Sequence, residues 1–483
     1  MAFPNLARHR DAAAFRGHLR ALAPELDCAL EVVGPGGPLA QPAEVAGLHI
    51  GNRFTAHPME GWDGTPSGLP TAHTLRRWRN FGRSGCKLVW GGEAFAVCED
   101  GRANPHQLYL NDEEDVLGGL VALREQVVAG HNEVGEGTAG LVTGLQLTHS
   151  GRWARPTPEG PAPRCAFRHP VLDPRLGIDD DAALIADEEL PGIVARYVAA
   201  AQLAQQAGFD FVDLKCCHGY LLHEFLAARS REGAYGGSFE NRTRLLREIV
   251  AAVRAACPGL VVGVRVSIAD VYPFAEDPDS GAGAPLGLEQ QLPYRSGFGV
   301  DPADPLHHEW SEPFAFLALL QELDIRLVNL SLGSPYTCPH LSRPATFPPS
   351  DGYPPPEDPL LSVAGHLRAA RRCKAAFPGL WFVGTGYSYL QEWLPHVAEH
   401  EVGHGHVDSV GLGRLMLAYP ELPLHLLRGE PLQTKRLCRT FSDCTTGPRH
   451  GMISGCFPLD PYYREMAEAE KARELRRGRT GTA

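Results

Sequence analysis

The sequence predicts an α/β chain folded as a (β/α)8 barrel, with an N-terminal extension, long βα loops and a C-terminal tail. Three observations lead there. Short apolar, β-branched segments alternate with segments of helical periodicity along most of the chain. Eight such strands can be counted, which suits closure, because a closed barrel leaves no exposed parallel edge. The first strand is also not followed by the Gly-x-Gly-x-x-Gly turn that marks an open doubly wound sheet. At 483 residues, 43% hydrophobic and 21% charged, the chain can bury a large core, and a barrel with insertions absorbs that length in one unit.

Residues 1–45 read as the N-terminal extension, broken at Gly34-Pro35-Gly36-Gly37-Pro38. The barrel is expected over residues 46–430, with strands at 53–57, 87–90, 141–148, 211–215, 261–266, 326–331, 381–384 and 409–412. Between them, Val194, Tyr197, Val198 and Ala201 repeat at helical spacing, as do Leu245, Leu246, Ile249, Val250 and Val253. Residues 272–308 and 335–358 are rich in Pro and other loop-forming residues and each follows a strand. In a barrel they are βα loops on the carboxyl face, where substrate walls are built. Residues 431–483 form the C-terminal tail, carrying Cys438, Cys444 and Cys456 and ending in a polar helix.

A formal net charge of −12 argues against nucleic-acid and anionic-membrane partners. No apolar run spans a bilayer and no signal-peptide core is present, so the expectation is a cytoplasmic protein acting on a small-molecule substrate. Acidic Asp11 and Glu25 weigh against reading the arginine-bearing N-terminus as a transit peptide. In that compartment the twelve cysteines are free thiols. Assembly into identical copies is left open.

The strand ends hold the polar residues that matter in a barrel: His57-Pro58-Met59-Glu60, Gly92-Glu93-Ala94, Gln146-Leu147-Thr148-His149-Ser150-Gly151-Arg152, Lys215-Cys216-Cys217-His218-Gly219-Tyr220, Arg265, Gly384-Thr385-Gly386 and Gly413-Arg414. With Tyr235-Gly236-Gly237-Ser238-x-Glu240-Asn241-Arg242, these runs resemble, in order, the old yellow enzyme family of NADH:flavin oxidoreductases, whose fold is an FMN-binding TIM barrel. The resemblance runs over residues 45–430 and implies an FMN-dependent oxidoreductase that takes NADH or NADPH as electron donor.

On these positions the resemblance implies a flavin site of Pro58, Met59, Ala94, Gln146 and Arg265. Gly384, Gly386, Gly413 and Arg414 would sit around the phosphate. The chemistry is sensible: an amide can both donate to and accept from the flavin edge, and a guanidinium can stabilise the anionic reduced ring or clasp a phosphate. Tyr220 is the implied proton donor in reducing a carbonyl-conjugated C=C bond. Lys215 and His218 would hold the substrate oxygen. Relatives carry His, or His and Asn, at this pair, so Lys215 is a departure; a structural alternative pairs it with Asp213 or Glu224. Glu60 is a second departure, since relatives commonly have Thr or Cys there; it points away or meets substrate.

One branch of the family binds a four-iron cluster after the barrel. Cys444 and Cys456 match its last spacer, but Leu437 and Thr440 occupy the first two ligand positions and Cys438 stands one residue off, so the tail reads as a relic packed on the barrel and no metal is expected. His57, His73, His149 and His223 read as structural. Two rivals keep the barrel: a flavin-dependent dehydrogenase or demethylase of an amine or ether, and a non-catalytic flavin sensor or scaffold.

Overall fold

The computed structural model describes residues 3–480. At its centre lie eight parallel strands, β1 (Phe54–Ala56), β2 (Leu88–Val89), β3 (Val142–Thr148), β4 (Phe211–Cys216), β5 (Val261–Ser267), β6 (Leu327–Ser331), β7 (Trp381–Gly384) and β8 (Ser409–Leu412). Each pairs with the next, and β8 returns to β1 through Val410↔Phe54, Gly411↔Thr55 and Leu412↔Ala56, which closes the ring. The expected strands are thus all present. β1 and β2 are shorter than expected; after β2 the chain turns at Gly91, whose φ of +92° suits glycine and where a Cβ would fall 2.6 Å from the backbone nitrogen of Gln146. A three-residue strand, Ala94–Ala96, then adds to the top of β3, too short a run to be legible in advance.

The helices that wrap the ring are α1 (Ala72–Arg83), α2 (Val116–Glu133), α3 (Leu190–Gln206), α4 (Phe239–Ala256), α5 (Ser311–Glu322), α6 (Pro359–Ala376), α7 (Leu394–Gly403) and α8 (Leu422–Leu427). Their starts follow capping chemistry. Thr71 and Thr74 form a reciprocal box before α1, and the side chains of Asp115, Ser238 and Asp358 accept backbone N–H groups at α2, α4 and α6. The anticipated stripe Leu245, Leu246, Ile249, Val250 and Val253 is fully buried on α4.

The amino-terminal end of the ring is plugged. Leu88, Val142, Phe211, Leu327 and Trp381 each begin a strand, and they pack with Ile50, Trp90 and Val383. The hairpin of Ala43–Val45 with Leu48–Ile50 covers them from below. Further N-terminal, the helix Ala12–Leu22 docks against α6, and its Phe15 stacks on Trp393, just ahead of α7, with centroids 5.3 Å apart, a contact contributing about 1 kcal/mol beyond area burial.

The loops after β5 and β6 and the tail all gather at the carboxyl end. Residues 272–308 hold a small hairpin, Phe274–Glu276 with Gly283–Pro285. The tail folds back over the rim: Ser454 Oγ accepts the Trp62 N–H at 2.9 Å, Asp460 pairs with Arg76 at 2.8 Å, and Thr440 Oγ1 accepts the Thr346 N–H at 3.0 Å. One buried apolar cluster runs from Leu6 to Cys456. No helix among the described residues is long and apolar enough to cross a membrane.

Candidate active site

A cavity of about 380 Å³ opens above the carboxyl ends of the strands. Every predicted site residue lines it except Gly384: Pro58, Met59, Ala94, Gln146, Lys215, His218, Tyr220, Arg265, Gly386, Gly413 and Arg414 converge there. Gly384 ends β7 with its missing side chain directed at the Tyr387 ring and Val407, so Thr385 and Gly386 present this edge instead.

Strand alternation explains the floor. Asp213 and Lys215 lie two apart on β4 and share one face, and the parallel register sets Asp213 beside Gln146 and Lys215 beside Arg265. Asp213 is the keystone: its carboxylate accepts the Gln146 amide at 2.5 Å and the Arg265 backbone N–H at 2.6 Å. Burial pushes that carboxyl up to about 6, against stabilising bonds from Gln146 and the charge of Arg265. The Arg265 Nε is buried with no hydrogen-bond partner in the protein. His57, below, is held by Asn329 at 3.0 Å and Thr385 at 2.9 Å, and burial with Arg265 nearby keeps it neutral.

The wall above differs. After β4, His218 (φ +65°) and Gly219 (φ +76°) turn the chain so that His218 and Tyr220 both face the cavity. The His218 backbone N–H donates to Ser267 Oγ, and its Nε2 lies 3.0 Å from Ser331 Oγ. Burial, Arg265 and Lys215 together hold its imidazole unprotonated. Lys215 is buried, its Nζ 3.5 Å over the Tyr220 ring and 3.8 Å from Glu60 Oε2. Neither anticipated structural partner takes it, since Asp213 is engaged as above and Glu224 pairs with Arg152. Desolvation pulls the Lys215 ammonium down, opposed by Glu60.

Glu60 points inward. Its Oε2 accepts the Tyr220 hydroxyl at 3.1 Å and its Oε1 accepts the Asn104 amide at 3.3 Å. Tyr220 also meets the Tyr336 hydroxyl at 3.0 Å, and Tyr336 stacks on Trp153 with centroids 4.4 Å apart. Burial, then Glu60 and Tyr336, push the Tyr220 phenol well above its ordinary range, so it stays protonated.

At the β7–β8 edge the guanidiniums of Arg343 and Arg414 sit together, with no salt bridge to either among the described residues, though the charge of Asp351 acts on Arg343. Arg414 donates to the Pro344 carbonyl at 2.7 Å and leaves Nη1 buried and unpartnered. Arg343 reaches Thr445, and burial beside Arg414 pushes it down to about 10. Paired cations of this kind beside Gly386 and Gly413 could hold an anion, in the position where barrels hold phosphate.

Several lining residues are not singled out by the sequence: Trp62, Trp153, Arg155, Tyr336, Arg343 and, from the tail, Thr445, Pro448, Arg449 and Ser454; Cys444, read there only as a tail cysteine, lines the cavity too. Strand-end logic cannot reach them. The placement of the 335–358 loop on the carboxyl face was the signal for Tyr336 and Arg343, and the tail's incomplete cysteine spacing was the one signal for the tail. Cys438 and Cys456 are buried in this segment, and burial pushes both thiols up, with the neighbouring Cys444 adding to it. Among the described residues these three do not form a set with sulfurs within 4.8 Å of one another.

Residues 38–278 match the model of the NADH:flavin oxidoreductase / NADH oxidase family. An NADPH dehydrogenase of Bacillus licheniformis is 31% identical over 291 residues, 54% of this chain and 78% of that protein. The chain belongs to this family. It is an FMN-dependent oxidoreductase drawing on a nicotinamide donor, as the resemblance implied. Among solved structures, a 2-naphthoyl-CoA reductase complex superposes with a TM-score of 0.63 at 18% identity, covering 91% of this chain; this chain spans 58% of that one. The old yellow enzyme homologue of Zymomonas mobilis gives 0.54 at 20% identity, covering 82% of this chain and 94% of that one. These two establish the shared fold.

The residues present fit FMN. The orphaned Arg265 Nε and Arg414 Nη1 mark two places for anionic oxygen at opposite parts of one cavity. At the second, Gly386 and Gly413 line the cavity, the left-handed φ of +97° at Gly386 suiting glycine and the Cβ position of Gly413 facing Met59. Gln146 and Arg265 would hold the ring edge and Arg343, Arg414 and the glycines the phosphate.

Proposed function

We propose that this chain reduces a C=C bond conjugated to a carbonyl, with Tyr220 as the proton donor and Lys215 and His218 as the carbonyl-binding pair. The observation that carries the reading is the placement of the Tyr220 hydroxyl on the cavity wall, protonated and tied to Glu60 and Tyr336, beside the Lys215 ammonium. Bound FMN, reduced by NADH or NADPH, supplies the hydride equivalent for the β-carbon.

The protein's own groups do the rest. Lys215 and His218 fix the carbonyl oxygen, and Lys215 brings a positive charge to where negative charge gathers as the bond is reduced. Tyr220 delivers its proton to the α-carbon, and the resulting phenolate is stabilised by Lys215, whose Nζ lies over its ring. Glu60 and Tyr336 orient the hydroxyl, and Trp153 stacked on Tyr336 keeps water from that side. The test is anaerobic: titrate the yellow protein with NADPH and NADH, then mix the reduced form with cyclic enones and enoyl esters. Reoxidation matched to saturated product supports the reading. Bleaching of the flavin by an amine without NAD(P)H points to the dehydrogenase alternative, and an enzyme reduced by NAD(P)H yet inert to every enone overturns the proposal.

A further inference from the structure

At the opposite end of the barrel, the turn from α7 into β8 carries His400, Glu401, His404 and His406. Ligand atoms of His400, Glu401 and His406 all lie within 4.8 Å of one another. The His404 ring packs 4.1 Å from that of His400 and 5.6 Å from that of His406. We propose that these side chains form a binding site for a divalent transition-metal ion of the zinc class, remote from the flavin.

Three features carry it. First, the donor set is chemically coherent: imidazole nitrogens with one carboxylate suit zinc, cobalt or nickel and not magnesium or calcium. Second, His406 Nδ1 is buried with no hydrogen-bond partner and lies 3.5 Å from Glu401 Oε2. A tetrahedral zinc ion with bonds of about 2.0–2.1 Å sets its ligands about 3.3 Å apart, so that pair already has the needed separation. Third, the surroundings are those of a supported site. Glu401 is buried and held by Arg371, whose guanidinium donates to both carboxylate oxygens, Nε to Oε2 at 2.9 Å, so an ion would share Oε2 with that bond. The His404 Nδ1 lies 2.8 Å from the His400 carbonyl, the bond that leaves Nε2 as the free base. The short loop between α7 and β8 would then be pinned by the ion at the amino-terminal face, away from catalysis. The arrangement makes the site structural.

The test uses untagged, FMN-loaded full-length protein, stripped by chelator dialysis and titrated with ZnCl2 by calorimetry and with CoCl2 by visible absorption. The expected result is one zinc per chain, cobalt d–d bands of a low-coordinate site, and binding weakened at least tenfold in both His400→Ala and His406→Ala, with the flavin spectrum unchanged. Cys98→Ser, which breaks the other three-ligand cluster (Cys98, Asp100 and His149), leaves this binding intact. His406→Gln covers the case of a misfolded alanine variant, its retained FMN reporting the fold. Zinc binding that survives both histidine substitutions, that is lost only in Cys98→Ser, or that never saturates overturns the proposal.

Discussion

Gln146 and Arg265 reach the cavity from strands and are tied to each other through Asp213, whereas Tyr220, Glu60 and Tyr336 reach it from loops and are tied mainly to one another. The floor is set by register: a parallel ladder leaves those side chains little freedom, and their partners are other strand residues. The wall is set by a turn with two left-handed residues, by the loop after β6 and by the returning tail. A floor of this kind suits a group that every relative holds alike, and a wall of this kind suits a substrate that differs from one relative to the next. The two regions should therefore respond differently to substitution. Damage to the floor should appear as lost cofactor or lost stability, and damage to the wall as lost turnover with the cofactor in place.

The sharpest division comes from Tyr220→Phe. Removing a positioned proton donor costs about 10²–10⁴-fold, and here the loss should fall on reoxidation by enone alone. Stopped-flow reduction by NADPH should stay within a few-fold of the parent. If both half-reactions slow together, Tyr220 belongs to the floor and the division fails.

Asp213 probes the floor through pH. Its buried carboxyl titrates near 6 against a usual value near 4, so folding favours the protonated form. The stability this contributes is present in full below the unfolded value and is lost as pH rises through the folded one. Two units correspond to about 3 kcal/mol, an upper figure for a group so engaged. Between pH 4 and pH 7 the parent should lose stability relative to Asp213→Asn, whose amide does not titrate. Urea denaturation of both proteins at the two pH values measures the difference, and parallel curves would remove Asp213 as the keystone.

Next in size is the anion site. Charge-assisted hydrogen bonds contribute about 1.5–3 kcal/mol, so Arg414→Ala or Arg343→Ala should weaken FMN about 10- to 100-fold, read by flavin fluorescence on dilution. Turnover at saturating FMN should change far less. An equal loss from Arg449→Ala, whose guanidinium is already paired with Asp351, would show a diffuse field instead of a defined pair.

What could be read in advance follows the same division. All eight strands and the strand-end residues were legible because alternation, glycine placement and the His-Gly-Tyr-Leu run are local patterns. Only Gly384 failed to reach the cavity, since the pleat of β7 turns it aside. Glu60 could be found but not aimed, because its direction depends on Asn104 and Tyr220, far apart in sequence. The 335–358 loop could be placed on the carboxyl rim, but Tyr336 and Arg343 within it could not be singled out, and the tail residues were missed because nothing local says that a segment beyond β8 folds onto that rim.

The finest distinction concerns Tyr336. It donates or accepts one hydrogen bond at the Tyr220 hydroxyl, and its ring is clamped between Trp153 and Tyr220. Tyr336→Phe keeps the stack and removes the bond, a change of about 1 kcal/mol, or roughly five-fold in enone reduction. Glu60→Gln should act in the same direction, because an amide can still accept from Tyr220 but no longer offers a charge to Lys215 at 3.8 Å. If the two residues act only by holding the hydroxyl, the double variant should slow the reaction by less than the product of the single effects, because they serve one atom. Full multiplicativity would mean that Glu60 acts separately, through Lys215 on the substrate, and the wall would then be two devices and not one.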